Sequence, residues 1–147
     1  MRPFVSLKGL RVPHTHLIQT DGSFKSGISR TACVFPLTKE YMLCTYIDHR
    51  HSGDSEWCSV LDGIRFAKKL NRGAIYLEND NQGLINALIS RRPPRHMDYY
   101  DAIADEIRHL DYIGIRWIPR GLNRADGLFD KPLFDDVVPP YVRSKVS

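Results

Sequence analysis

The chain has 147 residues, and 21 Lys+Arg against 17 Asp+Glu leave it a net charge of +4. That length suits one compact domain, and a hydrophobic share of 42% excludes disordered, collagen-like and low-complexity chains. No stretch reaches the ~18–20 apolar residues of a membrane span, and residues 1–16 lack the apolar centre of a secretory signal, so a cytoplasmic protein is expected. The mild positive charge permits nucleic-acid binding without requiring it. Cys33, Cys44 and Cys58 are odd in number and form no Cys-x-x-Cys pair; neither a disulfide framework nor a structural zinc site is expected.

Residues 1–13, with Pro3 and Pro13 among Arg2, Lys8 and Arg11, read as an N-terminal tail. Three strand-like runs follow, His16–Phe24, Arg30–Leu37 and Tyr41–Asp48, rich in β-branched, aromatic and aliphatic residues. The turns between them, at Lys25-Ser26-Gly27 and Thr38-Lys39-Glu40, are short enough to predict an antiparallel meander. The period then changes. Trp57, Val60, Leu61, Ile64, Ala67 and Leu70 mark one face of a helix, with Ser52, Asp54 and Ser55 as capping residues upstream and Asn71-Arg72-Gly73 as its stop.

A short strand, Ala74–Asn79, precedes a short helix, Gln82–Ser90. The run Arg91-Arg92-Pro93-Pro94-Arg95 forces a basic loop, either solvated or in contact with phosphates. A second long helix is predicted from Met97 to Tyr112, and Gly114 opens a last strand, Ile115–Pro119, before a helical piece at Ala125–Phe129. Residues 134–147 read as a C-terminal tail, leaving 14–133 as the domain. Met1 and the two tails favour a stand-alone protein. The helical crossovers make the last two strands parallel. The expected fold is α/β, a mixed five-stranded sheet with an antiparallel meander of three and two parallel strands, flanked by helices.

This topology gathers four carboxylates: Asp21 inside the first strand, Glu56 in the first turn of the first long helix, Asp80 at the end of the fourth strand and Asp126 at the start of the last helical piece. Each has an ordinary reading alone. Asp21 precedes Gly22 as in a turn, Glu56 suits a helix dipole, and Asp126 suits a cap. Glu78 competes with Asp80, two residues before it on the strand; Asp80 is preferred because it stands at the strand end, where sites of parallel sheets gather. A carboxylate within an apolar strand is costly unless compensated, and hard oxygen ligands favour Mg²⁺ or Mn²⁺. The His14/His16 and His49/His51 pairs lack a third ligand and are read as solvated or facing nucleic acid. Trp57 and Trp117 are expected in the core.

These residues also resemble a known family. Thr20-Asp21-Gly22-Ser23, Ser55-Glu56-Trp57, Leu77-Glu78-Asn79-Asp80-Asn81-Gln82 and the run from Ile118 through Pro119-Arg120, Asn123, Ala125-Asp126 to Leu128 are similar, in order and element, to the motifs of type 1 ribonuclease H domains. The resemblance spans about residues 17–133. It implies hydrolysis of the RNA strand of RNA–DNA hybrids with two Mg²⁺ ions, or Mn²⁺, about 3.5–4 Å apart. It implies Asp21, Glu56, Asp80 and Asp126 as metal ligands, Asp21 bridging both ions and Glu56 near the 2′-OH. One ion would activate the attacking water and the other would stabilise the leaving 3′ oxygen. Gly22, Ser23, Arg120 and Asn123 would contact substrate. A monomer with no small-molecule cofactor and no membrane association is implied.

The chain departs from the family pattern in four places, the first being a glycine-rich turn after the first strand that is reduced to Lys25-Ser26-Gly27. Asn123 and Asp126 are separated by two residues rather than three, Arg120 stands near the position of a loop histidine, and the basic protrusion of some relatives is missing. A catalytically weak or inactive nucleic-acid-binding module, or a related DNA nuclease, are the alternatives.

Overall fold

The computed structural model describes residues 15–47, 52–90, 97–130 and 141–145. The N-terminal tail, residues 91–95 and the residues His14, His49 and His51 lie outside them. β1 (His16–Lys25), β2 (Ile28–Phe35) and β3 (Glu40–Tyr46) form the meander. α1 (Ser52–Lys69), β4 (Ala74–Asn79), α2 (Gln82–Ser90), α3 (Met97–Ile107) and β5 (Tyr112–Trp117) follow. Two 3-10 turns, Arg120–Leu122 and Asp126–Phe129, complete the site end of the fold.

β4 runs parallel to both β1 and β5, so the five expected strands pair as the periodicity implies. A sixth strand, β6 (Tyr141–Lys145), joins β3 in parallel, giving the order β5-β4-β1-β2-β3-β6. These five residues were read as part of a C-terminal tail. Pro139-Pro140 and the polar end of the chain hide a strand too short to show a period.

Local chemistry sets the turns. Ser26 and Gly27 both have positive φ, 53° and 77°, in the two-residue loop joining β1 to β2; a loop of that kind matches the right-handed twist of its strands. At the end of α1, Asn71 has φ 59°, while Asn71 N–H donates to the Lys68 carbonyl (3.0 Å) and Arg72 N–H to the Ala67 carbonyl (2.8 Å). This left-handed cap satisfies carbonyls that the helix would leave open. α1 starts at Ser52, so Asp54 and Ser55 lie inside the helix and Glu56 is its fifth residue.

The ends of β1, β2 and β3 shift by one or two residues from the sequence pattern, and two boundaries move farther. α3 stops at Ile107 rather than continuing to Tyr112, and Leu110 is buried from a turn in which its N–H donates to the Ile107 carbonyl. The residues thus released let β5 begin at Tyr112.

The main core lies between the sheet and the helices, with Ile18, Cys33, Val60, Ile64, Phe66, Ile75, Leu77 and Ile103 among its buried side chains. Burying each large aliphatic group contributes about 1.5–3 kcal/mol relative to exposure. A smaller cluster, Ala32, Val34, Tyr41, Leu43, Ala125 and Leu128, packs the last 3-10 turn against β2 and β3. The three cysteines are free and buried. No helix among the described residues is long and apolar enough to cross a membrane.

Candidate active site

Asp21 sits in β1, which is hydrogen-bonded on both sides, to β2 and to β4. It is 1% exposed, and its Oδ1 accepts the N–H of Gly22 at 2.9 Å. Parallel pairing of Thr20 with Asn79 carries the residue that follows each, Asp21 in β1 and Asp80 just past β4, to the same end of the sheet. Gly22 brings in the third acid. A Cβ at Gly22 would stand 2.4 Å from the carbonyl carbon and oxygen of Ser55 and 2.7 Å from the Glu56 nitrogen. Only glycine lets the strand and helix backbones approach so closely. Gly63 does the same farther along α1, where a Cβ would lie 2.5 Å from Thr20 Cγ2.

Asparagines lock the strand ends. Asn79 Nδ2 donates to the Thr20 carbonyl (3.0 Å) and Thr20 Oγ1 (2.9 Å), and Asn79 Oδ1 accepts the Asn81 N–H at 2.8 Å. Asn81 Oδ1 accepts the Leu84 N–H at 3.0 Å and thereby caps α2. Asn123 Nδ2 donates to the Thr20 carbonyl at 2.9 Å and to Asp80 Oδ2 at 3.3 Å, while its Oδ1 accepts the Ala125 N–H at 3.1 Å. Asn79 and Asn81 stand in the motif read around Asp80, but their locking and capping roles were not read from it; the signal was an asparagine on each side of Asp80 at the end of an apolar strand.

Asp21, Glu56 and Asp80 each offer one carboxylate oxygen, all within 4.8 Å of one another. Asp126 lies outside that triangle but near enough to raise the Asp21 carboxyl. Burial first, then the charges of Glu56 and Asp80 and the neighbouring Asp126, push the Asp21 carboxyl up to about 8. Burial and the Asp80 charge push Glu56 up to about 7, against the pull of Arg120 and a hydrogen bond from Asn81. Asp80 is also raised, by burial, with Asn123 and Arg120 opposing. Like charges this close favour protonation unless a cation compensates them.

A polar cleft of about 310 Å³ opens at the cluster, with Glu56, Asp126, Gly22, Ser23, Lys25 and Arg120 in its lining. Arg120 is exposed there, and its charge favours ionised Glu56 and Asp80. Asn123 differs from its expected role as a substrate contact. It is 4% exposed and its amide is committed to protein groups, so it positions the loop instead. Gly22 meets the helix backbone on its Cβ side. Glu78, the competitor of Asp80, is buried in an ion pair with Arg116 and accepts Gln19 Nε2 at 2.8 Å.

Trp57 is in the core, 5% exposed, but Trp117 is not: it ends an edge strand and is 39% exposed, its Nε1 donating to the Asp80 carbonyl at 3.1 Å. His16 is exposed and outside the cluster.

The donor set suits a hard divalent cation: carboxylate oxygens only, one of them on a nearly fully buried strand residue. Glu56 Oε2 is buried and has no hydrogen-bond partner among the described residues, an orphan that a metal would satisfy.

Residues 19–127 match a family described as reverse transcriptase-like. No curated protein sequence matches the chain at a significant level. Among solved structures, the RNase H1 of the halophilic archaeon Halobacterium salinarum NRC-1 is 17% identical with a TM-score of 0.65, covering 78% of this chain and 98% of its own. The N-terminal RNase H domain of the Mycobacterium tuberculosis protein rv2228c is 18% identical with a TM-score of 0.65, over 76% and 88% of the two chains. LC11-RNase H1, solved in complex with an RNA/DNA hybrid, is 15% identical with a TM-score of 0.65, over 76% and 91%.

Proposed function

The chain belongs to the reverse transcriptase-like family, with the fold of an RNase H domain, and from that premise we propose that it is a metal-dependent nuclease hydrolysing the RNA strand of RNA–DNA hybrids. The observation that carries this reading is the triangle of Asp21, Glu56 and Asp80, with its unpartnered Glu56 oxygen. A similar fold binding an RNA/DNA hybrid in LC11-RNase H1 supports the substrate class.

Asp21, Glu56, Asp80 and Asp126 would hold two Mg²⁺ ions, with Mn²⁺ as a substitute. Bound there, the metals supply Lewis-acid activation of the attacking water and charge neutralisation at the leaving 3′ oxygen. The chain's own groups do the rest. Arg120 and Lys25, both lining the cleft, attract the phosphates of the bound strand. Ser23 offers a hydroxyl to the same backbone. Glu56 belongs both to the triangle and to the lining of the cleft and would stand nearest the 2′-OH, the group that separates RNA from DNA. Asn123 and Asn79 hold the strand ends so that the acids keep their spacing.

The test is cleavage of a labelled RNA–DNA hybrid with Mg²⁺, with Mn²⁺ and with EDTA, beside duplex DNA and duplex RNA, in the wild type and in Asp21→Asn. Metal-dependent cutting confined to the RNA strand, absent in the variant, is expected. A folded wild type that leaves the hybrid intact under both metals contradicts the reading. Cutting of duplex DNA instead would move the substrate class.

A further inference from the structure

Resting on the hybrid-cleaving reading above, we propose that the exposed indole of Trp117 packs against a ribose of the RNA strand beside the cleaved phosphate and so helps to hold that strand. The chain has two tryptophans. One, Trp57, is in the core, in contact with Tyr100. The other is 39% exposed, and it is the aromatic member of the exposed large hydrophobic side chains among the described residues.

Its place is specific. Trp117 pairs with Asn79 across the β4–β5 ladder, and its Nε1 donates to the carbonyl of Asp80, whose carboxylate belongs to the acidic triangle. The hydrogen bond fixes the ring before any ligand arrives, so contact costs little further rotamer freedom. A phosphate seated on the acids brings the adjoining sugars of its strand to the sheet end where Trp117 stands. In an RNA-containing duplex the bases are stacked inward, and what a side chain meets in the wide, shallow groove is the ribose. An indole face is apolar and suits the carbon face of a sugar, whereas the cations Arg120 and Lys25 suit phosphate.

The experiment uses the full chain and a labelled RNA–DNA hybrid, with Ca²⁺ in place of Mg²⁺ to hold the complex without turnover. Acrylamide quenching of the wild-type emission reports Trp117, because Trp57 is buried. Saturation with hybrid is expected to protect the accessible emission. Trp117→Ala is expected to weaken hybrid binding about tenfold and Trp117→Phe less than about threefold, since phenylalanine keeps a ring face but not the N–H.

Hybrid bound with unchanged quenching overturns the proposal, as does Trp117→Ala binding as tightly as wild type. Equal loss in the Phe and Ala variants also overturns it, because the bond to Asp80 would then be what matters. If wild type cuts the hybrid while any of these results holds, the nuclease reading survives and the ribose contact alone fails. If wild type neither binds nor cuts the hybrid, both fall.

Discussion

Gly22 and Ser55 meet backbone to backbone: a Cβ on Gly22 would lie 2.4 Å from the Ser55 carbonyl carbon and oxygen. No side-chain rotation relieves such a clash, so α1 must slide or β1 must bend. Gly22→Ala is expected to cost about 1–3 kcal/mol of stability, as overpacking does. The displaced segment carries Glu56, so metal-dependent cleavage per folded molecule should fall as well. Gly63→Ala is the comparison, meeting Thr20 Cγ2 at 2.5 Å farther along α1; it should lower stability with a smaller loss of activity. Urea melts paired with initial rates on hybrid separate the two effects. A Gly22→Ala chain as stable as wild type would show that this contact is looser than described.

The acids predict an unusual dependence of stability on pH when metal is absent. Asp21 is held up to about 8 from 3.8, and Glu56 up to about 7 from 4.5, both chiefly by burial. Each folded value lies above its unfolded one. Between those values the folded protein keeps protons that the unfolded chain has lost, so their contribution falls as pH rises. It is complete below about pH 4 and gone above about pH 8. Cations bind the ionised acids and reverse the loss. In EDTA, wild type should lose more of its thermal midpoint between pH 5 and pH 8 than Asp21→Asn does, and Mg²⁺ should raise the wild-type midpoint more at pH 8 than at pH 5. Parallel EDTA curves for wild type and variant would contradict the raised carboxyl of Asp21.

The succession of elements from β1 to β5 was legible because period-2 and period-3.6 runs alternate between clear stops, and β4 and α2 begin and end where Asn71-Arg72-Gly73, Asn81 and the later arginines put them. The acids were legible because a carboxylate in an apolar strand, as at Asp21, asks for compensation. Other features depend on register rather than pattern. Trp117 alternates with the buried Ile113 and Ile115 and so reads as core, but it is the last residue of an edge strand and projects past the core. The apolar stripe of α3 continues to Leu110 although the helix stops at Ile107, since a turn also buries that leucine. The asparagine bonds across Thr20, Asn79 and Asn123 join residues far apart in sequence, and periodicity carries no trace of them.

Asn123 links the shortened last motif to the acids, and its removal has two readouts. Asn123→Ala leaves the Ala125 N–H without its 3.1 Å acceptor and takes one donor from the Thr20 carbonyl. A lost buried bond of this kind costs about 1–3 kcal/mol. Asp80 also loses a donor that favours its ionised form. Its carboxyl should then rise further, moving the acid limb of the rate profile to higher pH. Rates from pH 5 to pH 9 on saturating hybrid test this. A variant with lower stability and an unmoved pH profile would make Asn123 a purely structural residue.

Asp62 is another buried acid, 1% exposed, and its environment assigns it to folding rather than to the acidic cluster. Its Oδ2 accepts Thr31 Oγ1 at 2.7 Å and Tyr46 Oη at 2.7 Å, with Cys58 Sγ at 3.7 Å. The bonds tie α1 to β2 and β3, and burial beside Asp62 pushes the Tyr46 hydroxyl and the Cys58 thiol up so that both stay protonated donors. Asp62→Ala would strand two buried hydroxyls and open a small cavity, at a cost of about 2–4 kcal/mol. Asp62→Asn keeps an acceptor of the same shape and should cost less. Because Asp62 is outside the triangle of Asp21, Glu56 and Asp80, cleavage per folded molecule at low temperature should stay near wild type in both variants. Thermal melts combined with rates below the midpoint check this. A folded Asp62→Asn chain without activity would move this carboxylate into the catalytic machinery, and a chain as stable as wild type with alanine at position 62 would remove it from the core network.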